Sequence, residues 1–175
     1  IFAPSKRQIS LEQALEIRAA LDEAIPAVGV FVNEPIENIV AIVEGRAIQI
    51  VQLHGDEDNT YIEDLGKRIT LPIIKAVAVK DAADVKKAYT ADFLLYDTYQ
   101  SGVAGGTGKT FNWDLLKEAT QPFFLAGGLH AGNLEGAIKQ MQPYAVDISS
   151  GVETDGVKDF EKIRAVMEII GRSKK

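Results

Sequence analysis

The 175-residue sequence contains no cysteine and only two histidines, His54 and His130. Without cysteine, these residues cannot form a disulfide framework, a thiolate metal site or a cysteine nucleophile. The two histidines stand in unrelated sequence contexts, which argues against a zinc site. We therefore expect no metal ion in the chain.

Long apolar runs and clusters of basic residues are missing as well. No apolar run approaches the ~18 residues that a membrane-spanning helix needs. No secretory signal is visible, so we expect a cytoplasmic protein without membrane contact. The formal net charge is −6, which argues against nucleic acid as a partner because such binding depends on neutralising phosphates. A small anionic ligand is compatible with this charge, because backbone N–H groups can hold a phosphate.

Short apolar runs rich in β-branched residues alternate with segments of helical periodicity. Most runs are apolar on both faces, as in parallel strands that helices cover on both sides. Successive runs begin roughly 23 residues apart, about the length of one βα unit. The predicted strands are Val28–Val32, Ile48–Leu53, Leu71–Val79, Asp92–Asp97, Phe123–Gly128 and Ala145–Ser150. The predicted helices are Ser10–Ala24, with Ser10 as N-cap and Gln13 as its capping-box partner, Pro35–Glu44, Asp81–Ala88, Trp113–Glu118, Asn133–Met141 and Asp159–Ile170.

This pattern predicts a single α/β domain over residues 1–175, and two architectures fit it. One is a (β/α)8 TIM barrel, which needs eight strands. The segment Ile1–Pro4 resembles the end of a strand, and the chain begins with isoleucine rather than methionine. We therefore expect a barrel that is incomplete at the N-terminus, with strands three to eight and a stub of strand two. The alternative is an open flavodoxin-like sheet, for which about six strands are enough.

Acidic and basic residues lie near the predicted strand ends, where both folds bind ligands. Asp97 ends an apolar strand, a position that suits a general acid, and an Asx-turn or helix cap is the alternative. Asp147 shares a strand face with Ser149 by alternation, from which it could bond sugar hydroxyls. Arg7 precedes the first helix. Its planar guanidinium suits a carboxylate ligand, and a solvated surface arginine is the alternative.

Three further polar residues lie at or within the predicted strands. Gln52 and His54 end the second strand, and His54 is either a ligand-facing residue or a structural hydrogen-bonding group. Lys75 stands inside the third strand, where a lysine must be paired or extend its amine to solvent. For Lys75, a site role or an interior ion pair therefore competes with an exterior position.

The glycine-rich loop after Asp97 ends in Gly108, Lys109 and Thr110, which suggests a nucleotide-binding P-loop. That motif requires a glycine five residues before Gly108, where Val103 stands instead. We therefore reject nucleoside triphosphate binding and interpret the loop, with Gly105 and Gly106, as a mobile cover over a site. A connector without a role is the alternative.

Two small-residue motifs follow the last two predicted strands. Gly127 and Gly128 end one strand, and Ser149, Ser150 and Gly151 end the next. Such residues let backbone N–H groups approach a ligand, and the last two loops of a TIM barrel commonly bind phosphate. We predict a phosphate site there, with tight packing as the alternative.

The sequence contains seven motifs in this order: SKRQIS, VGVFVNEP, VQLHGDE, IIKAV, LLYDT with GGTGKTFNW, LAGGL and AVDISSGVE. Together they resemble the phosphoribosylanthranilate isomerase family of tryptophan biosynthesis over essentially the whole chain. The resemblance implies a (β/α)8 barrel without metal or organic cofactor. It also implies an Amadori rearrangement of N-(5-phosphoribosyl)anthranilate to 1-(2-carboxyphenylamino)-1-deoxyribulose 5-phosphate. We expect a small phosphosugar as the partner and a monomer or homodimer.

The resemblance also implies a role for each candidate residue. Asp97 matches the general acid that protonates the furanose ring oxygen, and Arg7 matches the arginine near the anthranilate carboxylate. Asp147 matches the contact to the sugar hydroxyls, and Gln52 and His54 match residues that line the site. The phosphate positions match Gly127, Gly128, Ser149, Ser150 and Gly151, and the covering loop matches Gly105–Lys109.

One part of the family pattern is missing. The family's general base is a cysteine at the end of the first strand, and this sequence contains no cysteine. We expect that an N-terminal segment has been lost or omitted, or that the chain is a fragment that needs a complementary piece. The alternative is a non-catalytic phosphosugar-binding barrel fragment.

Overall fold

Six strands form one sheet in a computed structural model that describes residues 1–97 and 113–173. Their order in the sheet follows their order in the sequence, β1 to β6, and the β1–β2, β2–β3 and β5–β6 pairs are parallel. This TIM-like order differs from the flavodoxin-like order, in which the first two strands are exchanged. The strands are β1 Val28–Phe31, β2 Ile50–Leu53, β3 Ile73–Ala78, β4 Phe93–Asp97, β5 Phe123–Ala126 and β6 Ala145–Val146.

Helical segments connect these strands in the described part of the chain. Two short 3₁₀ segments, Trp113–Glu118 and Ser150–Val152, accompany the α-helices. The α-helices are α1 Leu11–Ala20, α2 Ile36–Glu44, α3 Asn59–Gly66, α4 Ala82–Val85, α5 Leu134–Met141 and α6 Phe160–Ser173.

The first helix begins as predicted and ends earlier. Ser10 Oγ accepts from the Gln13 N–H at 3.3 Å, and Gln13 Oε1 accepts from the Ser10 N–H at 2.9 Å, which forms the predicted capping box. The helix ends at Ala20 rather than Ala24. Beyond it the Asp22 carboxylate accepts from the Ala24 N–H at 2.8 Å, a local turn that competes with helix.

One helix and one hairpin are absent from the sequence-based prediction. Helix α3 is capped by the Asp58 carboxylate, which accepts from the Tyr61 N–H at 2.9 Å, and it buries Ile62 and Leu65. The strands β7 Glu153–Thr154 and β8 Val157–Lys158 form a small antiparallel hairpin. Its two turn residues, Asp155 and Gly156, have φ values of 52° and 81°, the left-handed pair that a tight hairpin requires.

The segment Ile1–Pro4 does not form the predicted strand stub. Phe2 donates one backbone hydrogen bond to Val30 in β1 at 2.9 Å, and its ring stacks on Phe31 with centroids 5.2 Å apart. The chain then turns, because Ser5 Oγ accepts from the Arg7 N–H at 3.1 Å.

The described chain groups into two compact units. The first comprises Ile1–Ala76 with Ala88–Leu94, and the second comprises Val77–Lys87 with Leu95–Lys175. The single domain over residues 1–175 stays a prediction. In the part of the chain that the structure describes, no helix is long and apolar enough to cross a membrane. Within residues 1–97 and 113–173, no group of three or more His, Asp or Glu side chains could hold a metal ion.

Candidate active site

In the first unit, Gln52 and His54 lie together at the carboxyl end of β2. Gln52 is buried, and its amide nitrogen is 3.0 Å from His54 Nδ1. The imidazole itself is exposed and therefore accessible to a ligand. The backbone N–H of His54 donates to the Phe31 carbonyl of β1 at 2.8 Å. The two residues are thus positioned by both their side chains and the neighbouring strand.

Lys75 forms an interior ion pair, one of the alternatives that the sequence left open. Its side chain is only 2% exposed, and Nζ lies 2.9 Å from Glu57 Oε2 and 2.5 Å from the Gly55 carbonyl. Glu57 was not among the predicted residues. The signal that could have identified it is the need of a strand-interior lysine for a counter-charge at a neighbouring strand end.

Glu57 is a buried carboxylate, and both of its oxygens accept hydrogen bonds. Its Oε1 accepts from the Asn33 N–H at 2.7 Å, and its Oε2 accepts from the Gly55 N–H at 2.9 Å as well as from Lys75. Burial by itself would raise the pKa of Glu57, but the hydrogen bonds from Lys75 and Asn33 outweigh it and hold this pKa below its ordinary value. The carboxylate is therefore ionised at neutral pH.

Arg7 lies in the turn that precedes α1, also in the first unit. Its side chain is exposed. This exposure fits both a solvated surface arginine and a ligand-binding arginine. Its predicted contact with a carboxylate stays a prediction.

In the second unit, Asp97 is the last residue of β4 and follows three almost completely buried residues, Leu94, Leu95 and Tyr96. Asp97 itself is half-buried, and its carbonyl accepts from the Val79 N–H at 3.0 Å. A carboxyl group therefore emerges from an apolar strand, as the sequence predicts for a general acid.

The loops after β5 and β6 are in direct contact in the second unit. Gly127 and Gly128 have φ values of 92° and 64°, which favour glycine. A Cβ on Gly151 would overlap the Leu129 carbonyl oxygen and lie 2.8 Å from its carbon. The structure thus brings the predicted phosphate residues together, and tight packing accounts for Gly151 by itself.

Three polar residues complete the end of β6. The Asp147 N–H donates to the Leu125 carbonyl at 2.8 Å, which continues the pairing of β6 with β5 by one residue. Asp147, Ser149 and Ser150 are all exposed. The Ser149 carbonyl accepts from Lys158 Nζ at 2.8 Å, which ties this loop to β8. The predicted loop residues Gly105, Gly106, Gly108 and Lys109 lie outside the described residues.

Comparison with known proteins identifies the family. The family model of N-(5'phosphoribosyl)anthranilate (PRA) isomerase matches residues 1–169. The chain belongs to the phosphoribosylanthranilate isomerase family. The N-(5'-phosphoribosyl)anthranilate isomerase of Endomicrobium trichonymphae is 52% identical over 170 residues, which cover 97% of this chain and 84% of that protein. The protein of the same name from Thermoanaerobacter pseudethanolicus is 48% identical over 172 residues, covering 96% and 83%.

Solved structures of phosphoribosylanthranilate isomerases share the fold. The crystal structure from Thermotoga maritima superimposes with a TM-score of 0.84 at 35% identity, covering 97% of this chain and 84% of that one. A complex with reduced 1-(o-carboxyphenylamino)-1-deoxyribulose 5-phosphate gives a TM-score of 0.80 at 32% identity, covering 97% and 83%. The predicted resemblance to this isomerase family of tryptophan biosynthesis is confirmed, and so is the TIM-like α/β fold. The roles of individual residues stay predictions.

Proposed function

We propose that this chain binds N-(5-phosphoribosyl)anthranilate and provides the general acid for its Amadori rearrangement to 1-(2-carboxyphenylamino)-1-deoxyribulose 5-phosphate. The observation that carries the proposal is the family match over residues 1–169, because every candidate residue falls inside it. We further propose that the six-stranded sheet is part of a (β/α)8 barrel, which the superposition on the Thermotoga maritima structure supports.

Asp97 is proposed to begin the reaction. Its carboxyl group would donate a proton to the furanose ring oxygen, so that the C1–O bond breaks and the nitrogen lone pair forms a protonated Schiff base. A base then removes the proton from C2, which gives an enol that becomes the ketone. The 175 residues contain no cysteine, so the proposal gives Asp97 the acid step and leaves the base unassigned.

The phosphate group is proposed to bind at the loops after β5 and β6. Gly127 and Gly128 have positive φ values, which favour glycine, and the close approach of Gly151 to Leu129 draws the second loop against the first. Ser149 and Ser150 add hydroxyl donors on exposed side chains. Asp147, exposed one residue beyond β6, is proposed to accept hydrogen bonds from the sugar hydroxyls.

The remaining substrate contacts are proposed for Arg7, Gln52 and His54. The Arg7 guanidinium can bind the anthranilate carboxylate through two parallel hydrogen bonds. His54 presents an exposed imidazole, and the buried Gln52 amide holds that imidazole through Nδ1. The small phosphosugar is the proposed partner, with the protein as a monomer or homodimer.

A non-catalytic phosphosugar-binding protein is the second candidate function, favoured by the absence of cysteine. Two measurements on the purified protein separate the two functions. One follows conversion of N-(5-phosphoribosyl)anthranilate, and the other titrates the reduced product analogue calorimetrically. We expect both binding and conversion. Binding without conversion would support the second candidate, and the absence of both would contradict the assignment of the substrate.

A further inference from the structure

The carboxyl ends of β1 and β2 and the interior of β3 converge on the buried carboxylate of Glu57. Lys75, inside β3, donates a hydrogen bond to this carboxylate, and so does the Asn33 N–H, two residues after the end of β1. The Gly55 N–H, in the loop after β2, binds the same oxygen as Lys75. A single side chain therefore joins the carboxyl ends of β1 and β2 to the interior of β3.

Gly55 is held at both of its peptide groups. Its N–H donates to Glu57 Oε2 at 2.9 Å, and its carbonyl accepts from Lys75 Nζ at 2.5 Å. The first of these groups is the peptide that links His54 to Gly55. On the other side, the His54 N–H donates to the Phe31 carbonyl at 2.8 Å. The backbone of His54 is thus fixed on both sides. The Phe31 carbonyl binds the N–H of His54, and the ion pair binds the peptide groups of Gly55 that follow it.

The loop after β2 lies directly against the end of β1. A Cβ on Gly55 would overlap Asn33 Oδ1 and lie 2.8 Å from the Asn33 nitrogen. Asn33 has a φ of 51°, and its Oδ1 accepts from the Asp56 N–H at 2.8 Å. This packing leaves the peptide after His54 little freedom to rotate while Glu57 and Lys75 are in place.

The position of the His54 backbone determines where its imidazole lies. Its Nδ1 is 3.0 Å from Gln52 Nε2. An amide nitrogen in this place can only donate, so the contact favours the tautomer whose ring proton is on Nε2. A rotation of the His54 backbone would break this contact, because Gln52 is buried on β2 and cannot follow.

We propose that Glu57 and Lys75 are positioning residues that act through Gly55 to hold the His54 imidazole in one orientation, as the Nε2–H tautomer. The role of Glu57 and Lys75 in isomerase catalysis rests on the proposed function. Their effect on the orientation of His54 does not depend on that function. Stability is a weak explanation for the pair, since apolar residues of similar volume often stabilise a core equally well or better.

The test is the ¹⁵N spectrum of the two imidazoles in histidine-labelled protein, about two pH units above the ordinary histidine pKa of ~6.5. His130→Gln assigns the two sets of signals. In the wild type we expect His54 Nδ1 to show the downfield shift of an unprotonated nitrogen. A wild-type spectrum with a protonated Nδ1 on His54 overturns the proposal. His130 serves as an internal reference, because its Nδ1 accepts from the Gly132 N–H at 3.1 Å, in the second unit.

Glu57→Gln is the decisive variant, because it removes the charge that Lys75 pairs with and its amide nitrogen must face either the Asn33 N–H or the Gly55 and Lys75 donors. We expect the two ring-nitrogen shifts of His54 to move towards each other, as two tautomers exchange, while those of His130 stay unchanged. Glu37→Gln, in an exposed pair with Arg68 of the same unit, is the matched control and should leave both histidines unchanged. Unchanged His54 signals in folded Glu57→Gln would show a structural role only and overturn the proposal.

Two further measurements keep the test decisive. If Glu57→Gln does not fold, the charge-neutral double variant Glu57→Gln with Lys75→Met replaces it, with the same expected change at His54. If wild-type protein turns over substrate, kcat/KM of the variant should fall roughly 10- to 100-fold, as expected for a misplaced contact. An unchanged kcat/KM with altered His54 signals would reject the catalytic consequence alone, and a wild type without turnover would reject the proposed function alone.

Discussion

The two units fix their strand ends by different means. In the first, a buried ion pair between Lys75 and Glu57 binds the backbone after β1 and β2. In the second, the loops after β5 and β6 are held by the close approach of Gly151 to Leu129. The first arrangement depends on charge and the second on the absence of a side chain. Substitutions that change charge, volume or pH should therefore affect the two units differently.

The largest effect on stability is expected when the buried pair loses one partner. Lys75→Met leaves the Glu57 carboxylate buried without its cation, which should lower the free energy of unfolding by about 3–5 kcal/mol. Urea unfolding of wild type and variant measures this difference. Adding Glu57→Gln restores neutrality and should recover part of the loss. A decrease below about 1 kcal/mol for Lys75→Met would mean that the pair is not desolvated in solution.

The second unit should be sensitive to volume instead. Gly151→Ala introduces a Cβ into the Leu129 backbone, which cannot yield as a side chain could. We expect a loss of about 1–3 kcal/mol, typical of overpacking. Gly136→Ala is the matched control, since no heavy atom lies within 4 Å of its added Cβ and the residue is inside α5. That control should stabilise by about 0.5–1 kcal/mol, and equal effects of the two variants would contradict the packing role of Gly151.

The charge-dependent unit should also respond to acid. Because the pKa of Glu57 is lower in the folded protein than in the unfolded chain, its ionised form stabilises the fold. This contribution is complete above the unfolded pKa of about 4.3 and is lost as the pH falls through the lower folded value. Chemical unfolding at a series of pH values should therefore show a shallower acid decline for Glu57→Gln than for wild type. If the free energy of unfolding fell equally with pH in both proteins, ionisation of Glu57 would not contribute to stability.

The smallest effect on stability is expected at an exposed salt bridge. Arg68 and Glu37 are 2.7 Å apart, but their side chains are 43% and 71% exposed. Solvent screening makes such a pair nearly neutral for stability. Glu37→Gln should leave the thermal midpoint unchanged within error, and a decrease comparable to that of Lys75→Met would show that burial is not what distinguishes the two pairs.

Local patterns predicted much of this fold, because they depend on residues close in sequence. The capping box of Ser10 and Gln13 spans three residues, and the apolar runs mark all six strands of the sheet to within a few residues. Helix α3 was missed although Asp58 provides a cap, since its apolar face is short. The predicted strand Ala145–Ser150 was too long, because a 3₁₀ turn begins at Ser150 and pairing ends after Asp147.

Contacts between distant residues were beyond sequence reasoning. The sequence predicts that a Lys75 inside the sheet needs a partner, but Glu57 lies 18 residues away, and the register of β2 and β3 brings the two together. Its motif predicts a phosphate-binding role for Gly151, whereas its packing against Leu129 depends on the contact of two loops. Sequence periodicity specifies neither register nor loop contacts, so both required the structure.

The proposed function depends most on Asp97, and one paired measurement tests it directly. The variant Asp97→Asn keeps the size of the side chain and removes the acid. We predict that its kcat falls at least ~10²-fold, the usual contribution of a general acid, while the affinity for the reduced product analogue changes only a few-fold. A variant that converts N-(5-phosphoribosyl)anthranilate at the wild-type rate would contradict the assignment.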